Sequence, residues 1–334
     1  MREASVLQIA LDNPDWDDPE TGVAENRDNM CALLERAAEF DPDFISFPEL
    51  ALVNGARGDD VPYETVAEPV PGPTTEAIGE RAQSLDSYVL VPMYERDGDD
   101  VYNAVAFVGP DGDVRGTYRK IATTASSMEK GLSPGSEVPV WETEFGTVGA
   151  LICWDARYPE LAAVLGAKGA NLVFPPTLGS GHRQFGTWAT YQGFHFAFTG
   201  KRGARLYTPK GNVTAEVKSA WKNPGVSDLD LSGASAKFLY TPVNTDCKSY
   251  SRGGAGHDAL EKIQRRYADE IVIHADNDEA TFVLESVSED VTLADLEREF
   301  QLPTPREYED RVRRMVLERS DGAPLLDMDE IVRE

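Results

Sequence analysis

An α/β layered fold with mixed sheets is the architecture this sequence predicts, and three observations predict it. Short apolar runs alternate with segments of helical spacing, a hairpin signal interrupts the alternation midway, and the alternation then resumes. At 334 residues the chain is long enough to bury a substantial core, as one large domain or two ordinary ones.

The elements follow in order. Residues 6–11 are an apolar run ended by Asp12-Asn13-Pro14, a strand and its breaker. Residues 26–40 place Met30, Leu33, Leu34, Ala37 and Ala38 at helical spacing. Residues 44–47 form a second strand halted by Pro48-Glu49. Residues 73–85 read as a helix with proline near its start, and residues 88–94 as a third strand. Two strand-like runs, 101–108 and 114–118, flank Gly109-Pro110-Asp111-Gly112, a strong hairpin signal. After a loop rich in Ser, Thr and Gly come a strand at 147–153, a helix at 158–167 and a strand at 171–174. From 196 to about 250 only short strand-like pieces stand out, at 204–207 and 238–240. Residues 271–274 and 281–285 read as closing strands of the core, and 306–319 as a charged helix.

Composition narrows the function. The formal net charge is −26, from 58 Asp+Glu against 32 Lys+Arg. Phosphate backbones and anionic membrane surfaces would be repelled, so neither nucleic acid nor membrane is an expected partner. With 41% hydrophobic residues in periodic segments the chain is not a disordered acidic one. The charge resembles that of proteins from salt-accumulating halophilic archaea, where molar salt shortens the Debye length to about 3 Å. Cys31, Cys153 and Cys247 are an odd number without metal-like spacing, which predicts neither a disulfide framework nor a zinc site. No leader-like N-terminus or long apolar stretch is present, and a reducing cytoplasm is the expected location.

Three side chains stand where an α/β protein places its ligand site, at the C-terminal ends of strands. Cys153 ends Val148-Gly149-Ala150-Leu151-Ile152, Glu49 ends Phe44-Ile45-Ser46-Phe47-Pro48, and Lys120 follows Thr117-Tyr118-Arg119. Alone, the cysteine reads as a small buried hydrophobe and the charges as solvated loop residues. Together they make a thiol amidohydrolase site, with a carboxylate to carry the thiol proton to a leaving nitrogen and an ammonium to hold an oxyanion. Such a site needs no histidine, and His182, His195, His257 and His274 fall in no nucleophile-activating arrangement. It needs no metal or cofactor either, and none is expected.

Three ordered motifs resemble those of the nitrilase or carbon-nitrogen hydrolase superfamily: Phe47-Pro48-Glu49-Leu50, Tyr118-Arg119-Lys120, and the twelve residues from Gly149 to Glu160 around Cys153-Trp154-Asp155. Asn171-Leu172-Val173-Phe174-Pro175 resembles the strand after the family's nucleophile helix. The resemblance covers roughly residues 5–188 and implies a four-layer α-β-β-α sandwich with two mixed β-sheets, assembled as a homodimer or higher homo-oligomer. It further implies Glu49 as general base, Lys120 as oxyanion stabiliser, Cys153 as nucleophile and the Trp154 backbone N–H as an oxyanion donor. Glu129, before Ser133-Pro134-Gly135, is the candidate for the second glutamate many members carry, at a spacing about one residue short. Ala122 stands where a histidine is frequent, and Thr190-Tyr191-Gln192-Gly193-Phe194 departs from the usual Arg-Ala-x-Glu-Asn.

The resulting division is a hydrolase domain over residues 1–290, divergent at about 210–270, and a charged helical arm over 291–334 that suits an oligomer contact. The expected activity is hydrolysis of a linear amide or N-carbamoyl compound through a Cys153 thioester. Asp155 points to that branch, since the family's true nitrilases usually carry glutamate there; a nitrilase and a catalytically silent ligand-binding protein are the alternatives. Arg157 is a candidate for binding a substrate carboxylate, with a structural ion pair as its rival reading.

Overall fold

The computed structural model describes residues 2–56, 61–179, 184–218, 228–274, 280–321 and 325. Among these, the strands form three sheets, and the two larger ones face each other. The first runs, edge to edge, Ser235–Asn244, Glu3–Asp12, Phe44–Ser46, Tyr88–Asp97, Asp100–Val108 and Val114–Arg119. The second runs Val213–Val217, Gly203–Tyr207, His195–Gly200, Leu172–Phe174, Gly146–Ala150 and Val140–Thr143, with Pro176–Thr177 also paired to His195–Gly200. Both are mixed. Phe44–Ser46 lies parallel to both neighbours whereas Tyr88–Asp97 and Asp100–Val108 form a hairpin; Leu172–Phe174 is likewise parallel to both of its neighbours.

The layers follow from which face each residue buries. Along Glu3–Asp12, Ala4 and Val6 meet Val148, Leu172 and Phe174 of the opposing sheet, while Leu7, Ile9 and Leu11 pack with Met30, Leu33, Leu34 and Ile78 of the outer helices. A strand covered on both sides reads as a continuous apolar run, which is why residues 6–11 show no alternation. Helices Pro19–Ala37 and Pro73–Leu85 cover the first sheet; Pro159–Ala167 and Gln184–Gln192 cover the second. The α-β-β-α order expected from the motifs is the one observed.

Boundaries moved where local chemistry outweighs apolar spacing. The first helix begins at Pro19 instead of residue 26, because Asp18 caps it by accepting the Thr21 N–H at 2.8 Å and proline suits the first turn. The strand before Cys153 stops at Ala150, and Cys153 opens a 3-10 turn, Cys153–Arg157, before Pro159 starts the helix. The hairpin turn forms as predicted: Gly109 N–H donates to Asp113 O at 2.8 Å, and Gly112 sits at φ +87°, where glycine is unstrained.

The largest differences lie after residue 234. Ser235–Asn244 is a ten-residue strand paired antiparallel to Glu3–Asp12 along its whole length, where sequence showed only a fragment at 238–240. Ile271–His274 and Thr281–Ser286 are strands as expected, but they do not close the main sheets. They pair with each other and with Cys247–Ser251 as a separate small sheet. Its own apolar cluster joins Tyr250, Phe282 and Leu284 to Ile263 of helix Gly256–Arg266 and to Leu293 and Leu296 of helix Leu293–Phe300. The helix expected at 306–319 is Pro305–Arg319; it lies on the helical layer of the second sheet, where Arg306 donates to Ala163 O. Among the described residues no helix is long and apolar enough to cross a membrane.

Candidate active site

Glu49, Lys120 and Cys153 are brought together from three chain segments, each just beyond the end of a strand. Glu49 follows Phe44–Ser46 and buried Phe47 in the first sheet, and is itself 2% exposed. Lys120 follows Val114–Arg119 on the same sheet. Its N–H donates to Asn103 O at 2.8 Å, and its C=O accepts from Gly135 N–H at 2.8 Å. That second contact requires glycine, since a Cβ at 135 would sit 2.2 Å from Arg119 O. Cys153 comes from the facing sheet and is half-buried, at φ +46°, a conformation L-residues rarely take and that costs about 1 kcal/mol or more.

The polar contacts converge on Glu49. Its Oε1 accepts from Lys120 Nζ at 2.7 Å and from Asn103 Nδ2 at 2.9 Å, and its Oε2 accepts from Leu178 N–H at 3.1 Å. Oε1 is thus occupied by two donors. The Cys153 thiol is close enough to the same carboxylate, to Lys120 and to the Leu178 N–H for each to shift its titration.

The electrostatics separate the two titrating partners. Burial, reinforced by the negative charge of Glu49, pushes the Cys153 thiol up to about 12, with Lys120 opposing. At neutral pH the sulfur keeps its proton until a base takes it. Burial pulls Lys120 down, but Glu49, and after it Cys153 and Asp155, outweigh that, so the ammonium is held above its ordinary value. The arrangement provides a protonated thiol, a carboxylate against it and a buried cation beside both.

The other anticipated residues divide. Trp154 lies in the first turn after Cys153, where leading N–H groups lack intrahelical partners. Its ring is exposed, and the Arg157 guanidinium stacks over it at 4.6 Å. No carboxylate of the described residues lies within ion-pair distance of Arg157, so the structural ion pair is not what holds it. Glu129 is not brought to this group: it is exposed at the end of the short helix Ala125–Glu129, without a hydrogen bond to Glu49, Lys120 or Cys153. His195 and His274 make no hydrogen bond to Cys153; His182 lies outside the described residues. Among the described residues no group of three His, Cys, Asp or Glu could hold a metal ion.

Sequence reasoning missed Asn103 and the Leu178 N–H. Asn103 was findable: it is a lone polar side chain in an apolar strand, and the hairpin turn at 109–112 brings residue 103 beside residue 120. A backbone N–H leaves no trace in composition.

The family model for carbon-nitrogen hydrolases matches residues 6–233. A bifunctional nitrilase/nitrile hydratase of Lupinus angustifolius is 32% identical over 172 residues, 46% of this chain and 49% of that protein. An omega-amidase of Xenopus tropicalis is 31% identical over 164 residues, 46% of this chain and 58% of that protein. The chain spans about half the length of the curated relatives it matches. Among solved structures, Nit3 of Saccharomyces cerevisiae, a member of branch 10 of the nitrilase superfamily, superposes with a TM-score of 0.59 at 18% identity, covering 73% of this chain and 90% of that one. At that identity the likeness speaks for the fold.

Proposed function

The chain belongs to the carbon-nitrogen hydrolase family, and from that premise we propose that it hydrolyses a linear amide or N-carbamoyl compound through a thioester on Cys153. One observation carries the reading: the buried Glu49 carboxylate is bonded to the Lys120 ammonium at 2.7 Å and lies close enough to the Cys153 thiol to push its titration up.

Glu49 takes the thiol proton as Sγ bonds to the carbonyl carbon. The displaced electron pair settles on oxygen, held by Lys120 and the Trp154 N–H. Collapse restores the carbonyl and breaks the C–N bond while the Glu49 carboxyl returns the proton to the leaving nitrogen. Ammonia or an amine departs, leaving the thioester. Glu49 then takes a proton from water, the hydroxide adds to the thioester, and collapse releases the acid and the thiolate, which regains its proton from Glu49. One water is consumed per turnover. The thiol's high resting value makes the base essential, because free thiolate is scarce at neutral pH.

Arg157, stacked on Trp154 and without a carboxylate partner among the described residues, suits a carboxylate on the substrate. A nitrilase is the second reading, favoured by the 32% identity to a bifunctional nitrilase/nitrile hydratase. Mass spectrometry of Cys153 after exposure to a panel of amides, carbamoyl compounds and nitriles separates them. An acyl adduct with ammonia release from an amide or carbamoyl compound is expected. Nitrile turnover without amide turnover selects the nitrilase, and no adduct with any member of the panel sinks both.

A further inference from the structure

Two residues beyond Cys153 lies a carboxylate that the proposed mechanism does not use. Asp155 is 0% exposed, and no Lys, Arg or His of the described residues forms an ion pair with it. Three donors hold it instead. Its Oδ2 accepts from the Tyr118 hydroxyl at 2.7 Å and from the Ile152 N–H at 2.8 Å, and its Oδ1 accepts from the Ala122 N–H at 2.7 Å.

The origin of those donors is informative. Tyr118 and Ala122 stand two residues before and two after Lys120, at the end of a first-sheet strand. Ile152 immediately precedes Cys153, at the end of a second-sheet strand. The Asp155 N–H also donates back to Ile152 O at 3.0 Å, so backbone and side chain together enclose Cys153 and Trp154 and hold the turn in which Cys153 keeps φ +46°. One side chain thereby ties the segment carrying the cation to the segment carrying the thiol, across the two sheets. No other residue type of this length offers acceptors to all three donors, and an apolar one would leave them buried without partners.

We infer that Asp155 is a positioning residue that sets the Lys120 ammonium and the Cys153 thiol at their working separation, without touching the substrate. The inference rests on the thiol-nucleophile reading above and adds to it the element that registers the two halves of the site. Reaction rates are steep in such registry: a displacement of about 1 Å can lower a rate about 100-fold.

The test uses the full chain in molar KCl and the burst of 4-nitrophenolate released when 4-nitrophenyl acetate acylates the thiol. Burst amplitude counts intact sites, and the burst rate constant reports chemistry per site; a merely structural role would move the amplitude and the melting temperature alone. Asp155→Asn keeps volume, but with its oxygen retained where Oδ2 accepts two donors it turns an amide N–H toward the Ala122 N–H. It is expected to lower the burst rate constant about 10- to 100-fold at near-full amplitude. Tyr118→Phe, which loses one hydrogen bond and keeps the packing, is expected to lower it about fivefold, and it carries the test if Asp155→Asn does not fold. Rate constants within twofold of the parent, or a loss confined to amplitude, overturn the inference. A parent without a burst, or one whose burst survives Cys153→Ala, overturns the nucleophile assignment and the positioning role with it.

Discussion

Replacing Lys120 by methionine keeps the reach of the side chain and removes its charge, and two separable losses follow from where it sits. Its Nζ lies 2.7 Å from Glu49 Oε1, and the two side chains are 7% and 3% exposed. Removing one member of such a pair strands the other charge and typically costs about 3–5 kcal/mol. Asn103 Nδ2 and Leu178 N–H still donate to Glu49, which places the expected loss near the lower end, about 3 kcal/mol. Against a total domain stability of about 5–15 kcal/mol, the variant should fold but melt early. The second loss is chemical: an oxyanion donor is worth about 10²–10³ in kcat, so Lys120→Met should be nearly inert. The double variant Lys120→Met/Glu49→Gln separates the two, because it leaves no stranded charge. Stability should return to within about 1–2 kcal/mol of the parent while activity stays at the floor. Urea denaturation in fixed molar KCl, read by tryptophan fluorescence, measures the first quantity, and the 4-nitrophenolate burst the second. The reasoning fails if Lys120→Met is as stable as the parent, if the double variant is less stable than the single one, or if the single variant acylates within tenfold of the parent.

Two further expectations concern the medium. With a formal net charge of −26, self-repulsion should be screened as the Debye length falls from about 10 Å at 0.1 M salt to about 3 Å at 1 M, so the melting temperature should climb with KCl; a flat profile would contradict the halophilic reading. His195 is buried, its Nδ1 has no hydrogen-bond partner among the described residues, and burial holds its imidazole down to about 4. The unfolded ring protonates near about 6.5, so the stability associated with the neutral ring is fully present above that pH and is lost as pH falls through about 6.5 toward 4, by about 3 kcal/mol. His195→Gln should flatten that part of the urea-midpoint profile, and parallel profiles for parent and variant would show that His195 does not set it.

What could be read along the chain was whatever is encoded by near neighbours. Pro73–Leu85 is a helix with the bounds its proline and apolar spacing predict, and the strands at 6–11, 44–47 and 88–94 appear because apolar runs and breakers are local features. The positions of Glu49, Lys120 and Cys153 at strand ends, and their motifs, were legible for the same reason. Pairing was not. The ten-residue match of Ser235–Asn244 to Glu3–Asp12 joins segments more than 200 residues apart, and the small sheet takes two strands that local pattern alone assigned to the main core. Glu129, nominated at a spacing about one residue short, is exposed at the end of its short helix and makes no hydrogen bond to the other three, because spacing along a loop does not determine which side chain is buried. Asn103, the Leu178 N–H and Asp155 act through register: each reaches its partner only once two strands have been set side by side or two sheets face to face. Residue type and order are enough to nominate a nucleophile, a base and a cation. The 2.7 Å contact of Lys120 with Glu49, and the 3.1 Å contact of the Leu178 N–H with the same carboxylate, exist only after folding has brought their segments together, since a hydrogen bond depends on position in space and not on separation along the chain.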